Sequence, residues 1–338
     1  MIKKMMNNDK VNIGIIGASG VAGSNILDLL LSKNYIGELT LFSNSLIGKY
    51  AKNHIDKYNG NLKFSKFDIN YINKNNCKID FLFLAVPHGK AKKIIEKITN
   101  KNIKIIDLSV DYRCKWTYGL PELHKNNIKK SLKVANPGCY ATACILSVAP
   151  LIKKYGILIN HIIFDCISGY SGGGKNAKDK YDANENIIVY QLTNHFHLNE
   201  IKNEIKKCLI NNNIDYDYLK NNKISNKNDD DKNKIKVSFT PHVVPVYSGI
   251  MCSAHIIFKD NIKLNTKKLK DEYLKFYKNT KTSIKNNIPC TKDVMNTPEC
   301  YIGGFELDDN GQLIIISVID NLMKGAASQA IENLELML

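Results

Sequence analysis

The run Val11-Asn12-Ile13-Gly14-Ile15-Ile16 leads directly into Gly17-Ala18-Ser19-Gly20-Val21-Ala22-Gly23, and the apolar stretch Ile26 to Leu31 follows. A short buried strand, a glycine turn and a helix in that order make a phosphate-binding βα unit. The glycines let the backbone approach a pyrophosphate, and the helix N-terminus meets the anion with unpaired N–H groups and the positive end of its dipole. The spacing G-x-x-G-x-x-G departs from the commoner G-x-G-x-x-G, but the strand before it and the helix after it favour a nucleotide site.

A second strand, Glu38 to Asn44, ends in Ser43, Asn44 and Ser45, with Lys49 a few residues on. The acidic residue that would hold a ribose 2′-hydroxyl is absent there, which favours NADP over NAD. Cofactor contacts are therefore expected at Gly17, Ala18, Ser19, Gly20, Val21 and Ser43. Pro87, just past a third strand at Ile79 to Val86, is expected among them. Ile103 to Ser109 reads as a further strand, and strands alternate with apolar helices such as Ala91 to Ile98. That pattern predicts an α/β fold with a Rossmann-type parallel sheet covered on both faces.

Beyond residue 138 the pattern changes. Strands near 161–168, 235–246 and 249–258, with a helix near 198–209, indicate a second, α+β unit on a largely antiparallel sheet, and near the end 313–319 reads as another strand and 326–336 as a helix. The segment Asn211 to Lys234 is dense in Asn, Asp and Lys and has little apolar surface to bury, so a loop is expected there.

A chain of 338 residues is long enough for two cores. The formal charge of +16 raises the question of nucleic acid, but the lysines are scattered among asparagines, with no basic and aromatic recognition element, so no nucleic-acid partner is expected. No membrane segment and no export signal is expected from the sequence, and nine cysteines without CxxC pairs point to reduced thiols and no metal site. The expected location is the cytoplasm. All but one of the 48 basic residues are lysine, the exception being Arg113. Only a guanidinium grips a carboxylate or phosphate through two parallel bonds, so Arg113 is a candidate substrate anchor.

Asn136-Pro137-Gly138-Cys139-Tyr140-Ala141-Thr142 puts a cysteine where a Pro-Gly turn gives way to an apolar helical run, Ala143 to Ile152. At a helix N-terminus the dipole favours thiolate, and the free N–H groups can stabilise an oxyanion beside the sulfur. Cys139 is therefore the candidate nucleophile. Ser168-Gly169-Tyr170-Ser171-Gly172-Gly173-Gly174-Lys175 brackets Ser171 with glycines suited to close approach of an anion, which makes Ser168, Gly169 and Lys175 candidate substrate contacts.

Together with Asp107-Leu108-Ser109-Val110-Asp111-Tyr112-Arg113, Tyr118-Gly119-Leu120-Pro121-Glu122-Leu123, His195-Phe196-His197-Leu198-Asn199-Glu200-Ile201 and Asp320-Asn321-Leu322-Met323-Lys324-Gly325-Ala326-Ala327, these islands closely resemble the N-acetyl-γ-glutamyl-phosphate reductase family over nearly the whole chain. The resemblance implies an NADPH-dependent semialdehyde dehydrogenase of arginine biosynthesis, reducing an acyl phosphate through a cysteine thioester. It implies an NADP-binding domain over 1–138, completed by 320–338, and a catalytic and dimerising domain over 139–319, assembled as a homodimer or homotetramer. It places the nucleophile on Cys139, the catalytic histidine on His195, a substrate contact on His197 and a residue near the nicotinamide on Asn321. A histidine titrates near neutrality, so His195 suits proton transfer to and from the sulfur and the reacting oxygen.

Where that family often has arginine, this chain has Phe196, Lys175 and Ser248. The acyl group is thereby left open, with a lysine-pathway reductase of carrier-linked aminoadipyl phosphate as the alternative. Aspartate-semialdehyde dehydrogenase is disfavoured because Gly138 stands where that family has Asn. From other classes, a non-catalytic NADP-binding sensor keeps the cofactor but not the chemistry.

Overall fold

The computed structural model describes residues 10–180, 185–210, 234–259, 262 and 264–338. The expected loop over Asn211 to Lys234 lies outside the described residues except for Lys234. The chain forms two compact units, one comprising Met1–Gly138 with Gly325–Leu338 and the other Cys139–Lys324. The second boundary thus falls after Lys324 and not between residues 319 and 320.

In the first unit β1 (Val11–Ile16), β2 (Ile36–Phe42), β3 (Phe64–Ser65), β4 (Phe81–Leu84), β5 (Lys104–Asp107), β6 (Thr117–Tyr118) and β7 (Lys133–Ala135) form one sheet in the order β3-β2-β1-β4-β5-β7-β6. Every pairing is parallel. Parallel strands carry apolar side chains to both faces, and β4, Phe-Leu-Phe-Leu, is buried throughout. Phe81 and Phe83 join the cluster holding Leu27, Leu30 and Leu334 from helices Val21–Leu31 and Ser328–Met337. Leu82 and Leu84 join the opposite one with Ala91 and Ile95. The strand order reverses between β1 and β4, and a crevice at the carboxyl ends of such strands is where open α/β sheets hold ligands.

The second unit contains β8 (Ile159–Gly169), β9 (Ile188–Val189), β10 (Lys236–Val244), β11 (Ile250–Phe258), β12 (Thr282–Ile284), β13 (Cys300–Leu307) and β14 (Leu313–Ile319), ordered β12-β13-β14-β11-β8-β10-β9. Four of its six pairings are antiparallel, while β8–β10 and β12–β13 are parallel. A parallel pair needs a crossover, and the connection between β8 and β10 carries the helix Phe196–Ile210. Burial alternates strictly along β11, as a sheet with one packed face requires.

The packed face lies under the helix Cys139–Tyr155, which is buried along almost its whole length. Cys139–Leu158 has the length and apolarity of a membrane span, but most of it is enclosed by the protein. Pro150 removes the N–H that would bond the Leu146 carbonyl four residues back. That carbonyl instead accepts the Tyr277 hydroxyl at 2.6 Å, and the next, of Ser147, accepts Tyr273 at 2.8 Å. Two tyrosines from the end of helix Thr266–Phe276 and the residue after it thus satisfy the helix where proline breaks its ladder.

Candidate active site

Cys139 is the first residue of its helix and is half-buried. It lines a cavity of about 260 Å³ in the second unit, together with Ser168, Gly169, His195 and His197. Five of the residues singled out from the sequence are thereby brought to one wall-to-wall space. Ser168 and Gly169 end β8, and the chain turns there into Tyr170–Gly173. A side chain at 169 would meet the Tyr247 carbonyl and the Ser248 amide at 2.7 Å, so the close approach needs glycine.

His195 precedes the helix Phe196–Ile210 and follows Asn194, whose φ of 61° is left-handed. Its Nδ1 accepts the His197 backbone N–H at 3.2 Å, so the imidazole closes the helix N-terminus as a cap. Both histidines are buried. Phe196 stacks on His195 with ring centroids 4.5 Å apart, and Tyr140 presents its edge to both histidines. Tyr140 in turn donates its hydroxyl to the His242 carbonyl at 2.9 Å, and burial, with Tyr190 beside it, holds that phenol well above its ordinary range.

Asn321 is buried, and its side chain is committed within this unit. Its Oδ1 accepts the Gly249 N–H at 2.7 Å and its Nδ2 donates to Ser171 Oγ at 2.9 Å. It therefore pins the turn that lines the cavity. Lys175 is exposed and is not among the lining residues.

Sequence reasoning missed Tyr190 and Gln191, which also line the cavity. Gln191 has a left-handed φ of 47°, a backbone state that no residue type there advertises. Tyr140 was visible only as part of the cysteine motif.

In the first unit, Arg113 is buried; its Nε donates to the Asn136 carbonyl at 3.1 Å and its Nη2 to that of Leu108 at 2.9 Å. These bonds brace the segment that leads to Cys139 in sequence. Asp107 accepts from the Ser109 amide and hydroxyl, and burial raises its carboxyl to about 6. Asp111 takes the amides of Gly89 and Lys92 at the start of the helix Lys90–Ile95.

The glycine turn fits a nucleotide pyrophosphate. Gly17 has a φ of 82° and lies against the Ala85 carbonyl, where a Cβ would collide. Ala18 is buried at the end of β1, and Gly20 caps the helix Val21–Leu31 with no side chain bonded to the first-turn amides, so these remain available to an anion. Ser19 and Ser43 face each other with hydroxyls 3.5 Å apart, and Pro87 follows the end of β4.

The NAD binding domain of semialdehyde dehydrogenases matches residues 12–131, and the semialdehyde dehydrogenase dimerisation domain matches residues 139–321. The chain is 35% identical to the N-acetyl-gamma-glutamyl-phosphate reductase of Methanococcus maripaludis strain C6, over 96% of this chain and 95% of that protein. It is 36% identical to the protein of that name from Campylobacter jejuni subsp. doylei, over 97% and 95%. Among solved structures, aspartate semialdehyde dehydrogenase with NADP from Candida albicans superposes with a TM-score of 0.72 at 15% identity, covering 97% of this chain and 98% of that one. Aspartate semialdehyde dehydrogenase II of Vibrio cholerae, complexed with ASA, gives 0.71 at 17% identity over 97% and 98%. At such identities the likeness speaks for the fold. By its sequence relatives and both matching domains, the chain belongs to the semialdehyde dehydrogenase family, among the N-acetyl-gamma-glutamyl-phosphate reductases.

Proposed function

We propose that the chain reduces N-acetyl-γ-glutamyl phosphate to N-acetylglutamate 5-semialdehyde with NADPH, releasing phosphate, as a step of arginine biosynthesis. The observation that carries the chemistry is a cysteine at a helix N-terminus lining the same cavity as a histidine that caps another helix.

Cys139 attacks the acyl carbon, the bond to the phosphate oxygen breaks, and phosphate leaves a thioester on the sulfur. Amides at the start of its helix stabilise both the thiolate and the oxyanion formed beside it. NADPH, when bound on the glycine turn Gly17 to Val21 with Ser43 and Pro87 beside it, supplies the hydride that reduces this thioester.

His195 works at Nε2. With Nδ1 accepting from His197, the neutral ring carries its proton on Nε2 and donates a hydrogen bond there. That hydrogen bond stabilises the oxyanion of the tetrahedral adduct, which collapses to the aldehyde as the carbon–sulfur bond breaks and the Cys139 thiolate is restored. His197, Ser168 and Gly169, which line the cavity, hold the acyl group.

The reading includes a homodimer. Helix Cys139–Tyr155 covers one face of the second sheet, while Ile163, Ile167, Met251, Ile257, Ile314 and Ile316 stand half-exposed on the other. A second copy covering this face would bury them, in keeping with the dimerisation domain matched there. It also includes the cytoplasm, since all nine cysteines are free thiols.

The test is phosphate-dependent NADP reduction with N-acetylglutamate semialdehyde, beside aspartate semialdehyde and an aminoadipate semialdehyde analogue. Turnover confined to the first supports the proposal, and turnover confined to another moves the substrate.

A further inference from the structure

The second unit holds three thiols that this reaction does not use. Cys144 on the helix Cys139–Tyr155, Cys166 on β8 and Cys252 on β11 bring their sulfurs within 4.8 Å of one another. The Cys144 sulfur lies 3.5 Å from that of Cys166 and 3.7 Å from that of Cys252. Cys166 and Cys252 stand opposite each other in the β8–β11 ladder, and all three side chains are fully buried.

Three sulfurs held by one centre through bonds of about 2.3 Å lie ~3.5–4 Å apart, so the spacing is preformed. Charge selects the guest. A divalent ion on three thiolates leaves a net negative charge in a dry core, which is costly without a cation beside it. A trivalent centre bonded to three sulfurs leaves none.

We propose that Cys144, Cys166 and Cys252 form a capture site for a trivalent thiophilic oxyacid of the arsenite or antimonite class. Each thiol gives its proton to one hydroxyl of the oxyacid, water leaves, and a bond from sulfur to the central atom replaces the bond to oxygen. Three such condensations release three waters with no change of oxidation state. Burial pushes the thiols of Cys144 and Cys166 up. Entry to so buried a site requires the helix to open from the sheet, so uptake is slow.

The full-length protein, reduced with a phosphine and not a dithiol, is incubated with arsenite, freed of excess reagent and assayed for bound arsenic. One arsenic per chain is expected, with three sulfur neighbours in its X-ray absorption spectrum. The same retention is expected in Cys139→Ser. Affinity should fall by about a hundredfold or more in Cys144→Ser, Cys166→Ser or Cys252→Ser, because one of three linked bonds is lost. No retained arsenic, fewer than three sulfur neighbours in the unmutated protein, or loss of binding in Cys139→Ser overturns the proposal. The spectrum of the unmutated protein decides the matter even if a core variant fails to fold.

Discussion

His195 accepts the backbone N–H of His197 on Nδ1 at 3.2 Å, which makes the catalytic candidate its own helix cap. The bond sets the orientation of the ring and the position of its proton together.

His195→Ala is expected to lower kcat by about 10²–10³-fold while KM changes little, since the lost hydrogen bond to the oxyanion acts in the transition state. His195→Gln, which keeps an N–H donor, should recover part of that loss. Steady-state kinetics of both variants check this, and an Ala variant with unchanged kcat would remove His195 from the chemistry.

Asn321 and Ser171 form one strut under the cavity-lining turn. Asn321→Ala and Ser171→Ala are each expected to lower kcat/KM by about tenfold, equivalent to about 1.4 kcal/mol. In the double variant the losses should fall short of additive by ~0.5 kcal/mol or more, because the residues act through a shared bond. Fully additive losses would show that they act separately.

Tyr277→Phe leaves the Leu146 carbonyl without the hydroxyl that replaces the bond Pro150 cannot make. An unsatisfied buried carbonyl costs about 1–3 kcal/mol, so the variant should unfold at a lower urea midpoint with an unchanged slope. An unchanged midpoint would mean that another donor reaches this carbonyl.

Asp107 has its carboxyl raised from 3.8 to about 6 by burial. The folded state therefore holds this proton more tightly than the unfolded one, and stability falls as pH rises from about 4 to about 6, then levels off. A difference of this size corresponds to about 3 kcal/mol. Asp107→Asn removes the titration, so its stability relative to the unmutated protein should rise across that window. Denaturation curves between pH 4 and 7 measure it, and a constant difference would contradict the burial argument.

Much of the fold was legible because its strands announce themselves. β1, β4, β8, β11 and β14 are apolar runs bounded by turns, and the glycine turn after β1 fixes the class of the first sheet. β3, β6, β7 and β12 have two or three residues each, too few for any periodicity, and only pairing with a neighbour makes them strands. The site was legible where chemistry demands a residue type in a turn, as at Cys139, Gly169 and His195. Asn321 shows the limit: its motif marked it, but its bonds to Ser171 and Gly249 depend on strands far apart in sequence. Tyr190 and Gln191 reach the cavity through a backbone path that sequence does not encode locally.

The central claim is that the acyl group passes through the sulfur of Cys139. Mixing the protein with N-acetyl-γ-glutamyl phosphate in the absence of NADPH, quenching in acid and sequencing the peptides by mass spectrometry tests it directly. The account predicts an N-acetylglutamyl group on Cys139, with phosphate released in equal amount and no adduct in Cys139→Ala. Phosphate release without that adduct, or an adduct on another residue, would contradict it.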